Sequence, residues 1–169
     1  ANFIKASPTL LSFDDAETLF HEFGHALHGL NSAAHYPTVA GTNTPRDFVE
    51  FPSQLHENWF KTPEILSKFA IHYKTGEAIP KSLLEKIEKA ATFNQGFAVT
   101  EFMASAIVDM KLHLDPTGKI DPAAFEKKTL QELGMPSEIV MRHRIPQFNH
   151  LFSGDGYSAG YYSYLWSQV

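Results

Sequence analysis

Two histidines and a glutamate stand together at His21-Glu22-Phe23-Gly24-His25, an HExxH pattern. Residues four apart share one face of a helix, with their side-chain bases roughly 6 Å apart. Two imidazoles at that spacing can share one Zn²⁺ at about 2.0–2.1 Å each. Glu22, next to the first of them, is angled toward the coordination position that a hydrolytic site leaves open. A carboxylate there can take a proton from water and later hand it to a leaving amine. Chance alone gives about 0.03 such patterns in a chain of this composition. The plain alternative is an amphipathic helix whose histidines face solvent or are satisfied in a core. The neighbours Ala16, Leu19, Phe20, Phe23, Ala26, Leu27 and Leu30 fall at helical spacing, as the chemistry requires.

Such a site needs a third protein ligand. His28 is two turns from His21, roughly 10 Å along the axis, so one metal cannot comfortably bind both. An elongated motif with a glycine and a further histidine also fails, because His28 and Asn31 occupy those places. Glu50 and Glu57, on the next helix, are the candidates. Glu50 lies in Asp47-Phe48-Val49-Glu50-Phe51, a charge among apolar neighbours. A core-facing carboxylate needs a partner, which a metal or an ordinary salt bridge would supply. A metal-bound histidine usually gives its other N–H to a carboxylate or carbonyl. Glu17 and Asp47, each about one turn before a candidate ligand, suit that role or that of a helix-start charge.

A third constellation lies near the C-terminus. Tyr157, Tyr161 and Tyr164 are spaced as one stripe of a helix, and His150 precedes a glycine-rich stretch. Neutral phenols can donate hydrogen bonds to an oxyanion or a peptide carbonyl. An aromatic stripe is more often core, yet the flanking Gly-Asp-Gly and Ser-Ala-Gly suit a movable element that faces substrate.

The elements needed to position these groups are helices. Ser12 or Asp14 can cap the first, which runs to about Leu30. Residues 35–45 read as irregular. A second helix starts at Thr44 or Asp47 and reaches about Lys61, kinked at Pro52. Pro63 opens a short helix to Tyr73, and Pro80 a long one, Lys81 to Leu112, broken near Gln95–Gly96. Another runs from Asp121–Pro122 to near Gly134. Residues 135–147 are partly loop, Leu151 to Gly160 should be mobile, and a last helix follows. The expected fold is mainly α with little β.

Composition bounds the rest. The 169 residues are 43% hydrophobic and 20% charged, proportions that allow one core, so 1–169 is expected to be a single domain. Nucleic acid is excluded as a partner, because 14 basic residues face 19 acidic ones and form no basic stripe. The most apolar stretch, Phe97 to Met110, is cut by Thr100, Glu101 and Asp109, which excludes a membrane span. With no cysteine, a zinc site must use histidine and carboxylate. Ala1 to Leu11 lacks the layout of a signal peptide, and both ends look cut, so the expectation is a fragment of a longer protein.

Beyond single motifs, the order His21-Glu22-Phe23-Gly24-His25-Ala26-Leu27-His28, Gly41-Thr42, Asp47 to Gln54, Glu57-Asn58-Trp59, His150-Leu151-Phe152, Gly156-Tyr157 and Tyr161 to Trp166 resembles the thimet oligopeptidase family of zinc peptidases. Within it, Gly41 to Glu50 is most similar to the bacterial peptidyl-dipeptidases, also called dipeptidyl carboxypeptidases. The resemblance implies a mainly helical, zincin-type catalytic core. It implies zinc on His21, His25 and Glu50, with Glu22 as general base. His150, Tyr157 and Tyr164 would bind substrate and stabilise the oxyanion, with Tyr161 a further substrate contact.

By the same resemblance the full-length enzyme is a monomer acting on short peptides and releasing C-terminal dipeptides, with internal cleavage as the alternative. Arg142 and Arg144 are then candidates to grip the terminal carboxylate, or are a surface charge pair. The cytoplasm is the expected compartment, with the periplasm open. The rival readings are a zinc-stabilised helical domain without activity and a metal-free helical module.

Overall fold

The computed structural model describes residues 7–169. The start of the Ala1 to Leu11 stretch lies outside them. The described residues are mainly helical and contain no strand, only an isolated antiparallel bridge between Ile71 and Ala78. By contacts the chain gathers into two compact units. One comprises the described residues up to Ala90 together with Ser167–Val169, the other Ala91–Trp166.

The first unit is built on α1, Phe13–Leu30. Ser12 caps it in a reciprocal box: its hydroxyl accepts from the Asp15 N–H while the Asp15 carboxylate takes the Ser12 N–H. At the far end the Asn31 N–H bonds back to the Leu27 carbonyl. The helix kinked at Pro52 is in fact two: α2, Arg46–Val49, and α3, Phe51–Phe60. Pro52 has no N–H to give to Phe48, so the first run cannot continue through it. Glu50 is the joint, and its carbonyl begins α3 by accepting from the Gln54 N–H at 2.9 Å.

Helices α1 and α3 pack at Gly24, the one buried residue of α1. A Cβ there would stand 2.5 Å from the Ser53 Cα and 3.1 Å from the Pro52 carbonyl, so only glycine permits this approach. His56 donates from Nδ1 to the Phe20 carbonyl at 2.7 Å and stacks on the Phe20 ring. Phe60 closes the contact against Phe13 and Phe20. The next helix, α4, covers only Pro63–Phe69 and stops short of Tyr73. Residues 71–78 instead fold back as a small hairpin, turning at Gly76 with φ +71°. Then comes α5, Lys81–Ala91.

In the second unit α6 covers Gln95–Leu114, after a break at Asn94 where φ is +54°. Asparagine is among the few residues that tolerate that region. Helix α7 spans Pro122–Glu132, capped by the Asp121 side chain on the Ala124 N–H. Val108, Leu130, Met141, Ile145, Phe148 and Leu151 form its core. Short helices α8, Asn149–Phe152, and α9, Ser163–Trp166, flank a run of turns. The expected last helix is therefore only four residues long.

Replacing Gly24 with alanine is expected to lower the unfolding free energy of the metal-free chain by about 1–3 kcal/mol, the usual cost of overpacking. Denaturant titration reads it directly. An unchanged midpoint would mean that α1 and α3 separate without penalty.

Candidate metal centre

Helix α1 places His21 and His25 one turn apart, their rings edge to face with centroids 4.9 Å apart. The helix break places Glu50 opposite them, at 1% exposure. Ser53, one turn into α3, donates to the Glu50 carbonyl at 2.8 Å and to its Oε2 at 3.2 Å. That same Oε2 lies 3.2 Å from His21 Nε2 and 3.2 Å from His25 Nε2. Two donors each about 2.0–2.1 Å from a tetrahedral zinc would be about 3.3 Å apart. The spacing and the His₂Glu donor set therefore fit zinc. The three donor atoms lie within 4.8 Å of one another, the one such group among the described residues.

The partners behind the ligands differ from the expected pair. His21 Nδ1 donates to Glu57 Oε1 at 2.6 Å, so Glu57 fixes this ring, not Glu17. Glu17 is instead paired with Lys61 Nζ at 2.5 Å. The reason is register: α3 runs beside α1 and carries Glu57 to the back of the His21 ring. In the sequence Glu57 stands only as a rival to Glu50. Asp47 offers its carbonyl to Ser167 Oγ at 3.1 Å. His28 packs its ring near Phe48, apart from the cluster. Glu22 is solvent-exposed on α1.

Without metal, both ring nitrogens of His21 face carboxylates. The hydrogen bond to Glu50, then that to Glu57, push its pKa from 6.5 up to about 9. This pairing stabilises the metal-free fold fully below the unfolded value of 6.5 and is lost as pH rises through about 9.

In the second unit the tyrosines do come together, but not as a helical stripe. Residues 156–162 are turns, and Ala159 has φ +55°. The turn stacks Tyr157 on Tyr164, with centroids 5.4 Å apart and planes 6° from parallel. The His150 ring stands edge-on to both, at 5.8 and 6.0 Å. Tyr161 is buried between Phe102 and Phe148, at 4.9 and 4.7 Å, and this burial raises its pKa above the usual phenol value. An open groove of about 410 Å³ runs along Asn149, His150, Ser153, Gly154, Gly156 and Tyr157. Arg142 is exposed, while Arg144 commits its Nε to buried Glu126 at 2.5 Å. The stretch expected to be mobile is tied down at Ser158, whose hydroxyl donates to the Leu151 carbonyl, and at Ala159 and Tyr161, which bond to Asp109.

The family model for peptidase family M3 matches residues 1–169, and the chain belongs to that family. Its members are peptidases. Over 170 residues the chain is 45% identical to dipeptidyl carboxypeptidase of Salmonella typhimurium, covering 98% of this chain and 25% of that protein. It is 45% identical to the Escherichia coli dipeptidyl carboxypeptidase over 96% of this chain and 24% of the relative. Oligopeptidase A of Escherichia coli is 38% identical over 98% of this chain and 25% of its own length. The chain thus spans about a quarter of the length of these relatives. No helix among the described residues is long and apolar enough to cross a membrane.

Two outcomes follow for the metal. Replacing Glu57 with glutamine should weaken zinc binding by about 10–100-fold, read by competition with a chromogenic chelator, because the His21 ring loses its anionic support. To bind at His21, zinc would also have to displace its proton. Affinity should climb about tenfold per pH unit from this group between pH 7 and its pKa of about 9, then level off. A flat profile from pH 7 to 9 would show that no proton held on His21 competes with the metal in that range.

Proposed function

We propose that the chain carries the zinc centre and hydrolytic groups of a peptidase that acts on short peptides and releases dipeptides from their C-terminus. The observation that carries this is the convergence of His21, His25 and Glu50 on one point, with Glu22 next to the first ligand. Family membership and the names of the two 45%-identical relatives support the dipeptide mode. The oligopeptidase A relative, at 38%, favours internal cleavage as the second reading.

In this reading His21, His25 and Glu50 hold Zn²⁺, with Glu57 orienting His21. The metal supplies a Lewis acid that polarises the scissile carbonyl and makes water acidic enough to attack at neutral pH. Glu22 takes the proton of the attacking water as its oxygen bonds to the carbonyl carbon. It then passes that proton to the amine nitrogen as the C–N bond breaks. Tyr157 and Tyr164 donate to the oxygen on which charge develops, and His150 assists them. Tyr161 backs their rings, at 5.6 Å from His150 and 5.5 Å from Tyr164. Arg142 is the arginine available to a terminal carboxylate, with Arg144 held on Glu126 behind it in sequence. The full-length enzyme is proposed to work as a monomer in the cytoplasm, with the periplasm as the alternative compartment.

Glu22→Gln should abolish turnover of a fluorogenic peptide while one zinc per chain stays bound. Tyr164→Phe should lower kcat by about 10²-fold, the loss expected for one oxyanion donor. Retained turnover in the Glu22→Gln variant would sink the assignment. Zinc bound without turnover in the parent chain would leave it a zinc-stabilised helical domain. Cleavage of amidated and free-acid peptides at equal rates would favour the internal mode.

A further inference from the structure

Asp109 lies on α6 with 0% exposure. A buried carboxylate needs donors. Two of them come from a turn about fifty residues on. Oδ1 accepts the Ala159 N–H at 2.9 Å, and Oδ2 accepts the Tyr161 N–H at 2.9 Å. His113, one turn along α6, brings Nδ1 to 2.8 Å from Oδ1. The first bonded residue, Ala159, is held at φ +55°. Alanine has no preference of its own for that conformation, so the constraint must come from outside the turn. Backbone N–H groups converging on an anion across a left-handed residue form a nest, here filled by a side chain of the same unit.

The consequence falls on the rings either side. Tyr157 enters the turn and Tyr164 leaves it, and the reversal between them produces their 5.4 Å stack. A helix through 157–164 would carry the rings in a row along one face. We propose that Asp109 is a positioning residue for peptide hydrolysis. By clamping the Ala159 and Tyr161 N–H groups, it fixes the turn that sets Tyr157 and Tyr164 side by side against His150. This rests on the hydrolytic role proposed above for those rings. Asp109 itself touches backbone and His113, not the reacting atoms.

Amide hydrogen exchange in the zinc-loaded chain tests the clamp directly. The Ala159 and Tyr161 amides, though in no helix, should exchange as slowly as the core amide of Val108. Exchange at the rate of an open loop overturns the proposal, even if the variant below fails to fold. Asp109→Asn keeps the shape but sets an amide NH₂ against one of the two N–H groups. Both amides should then exchange about tenfold faster or more, with Val108 and Leu130 at parent rates. The kcat for a short peptide should fall about tenfold or more at nearly constant KM. Uniform acceleration across the unit would mark Asp109 as merely structural and overturn the proposal, as would unchanged amides. Tyr157→Phe and Tyr164→Phe separate the underlying reading. Loss of kcat with parent exchange rates supports both. Parent kcat in both variants fails the ring assignment, while amide protection still reports on the clamp alone.

Discussion

The candidate metal centre depends on one burial: the Glu50 carboxylate, 1% exposed, at a break between two helices. An uncompensated charge in that position costs several kcal/mol, so everything around it must supply compensation. Pro52 sets the break, because α2 cannot run through a residue without an N–H. Gly24 lets α1 come close enough that its two imidazoles reach the carboxylate. Ser53 holds the carboxylate from behind, and Glu57 holds the nearer imidazole. Each of these features is ordinary alone. Together they leave the three donor atoms facing one point.

The second unit solves a different problem with the same device. Its irregular segments carry backbone N–H groups that no helix satisfies, and buried polar groups must be paired. Acids on the two long helices do this. Asp109 takes two N–H groups of the tyrosine turn. Glu126, 2% exposed on α7, takes the Ile145 N–H at 3.3 Å and the Arg144 guanidinium. Helix-borne carboxylates thus shape non-helical chain, and the aromatic cluster inherits its geometry from them.

What was legible in the sequence divides along the same line. His21, His25 and Glu22 lie on one helix, so their spacing alone conveys their geometry. Glu50 was legible because a charge between Val49 and Phe51 demands a partner. Glu57 was not assigned behind His21, because its place depends on the register of α3 along α1. The tyrosine rings lie near one another, but not by helical spacing. Helical spacing suggested one stripe, whereas the real grouping comes from a left-handed alanine that no local residue type announces. Its cause, Asp109, stood in the sequence only as a charge cutting the apolar run from Phe97 to Met110.

Both Glu50 and Asp109 are acids set among apolar residues, yet their partners make them different things. A backbone N–H can only donate, so a carboxylate facing two of them is complete as it stands. An imidazole Nε2 can be either protonated or a lone-pair donor. Two Nε2 atoms at 3.2 Å from one carboxylate oxygen can therefore be reconciled in two ways: by protons, or by a cation that all three ligands share. The raised pKa of His21 is the first solution, adopted without metal. The second needs only that the cation displace the proton. The Asp109 cluster has no such second solution through its backbone donors, which is why it constrains the chain.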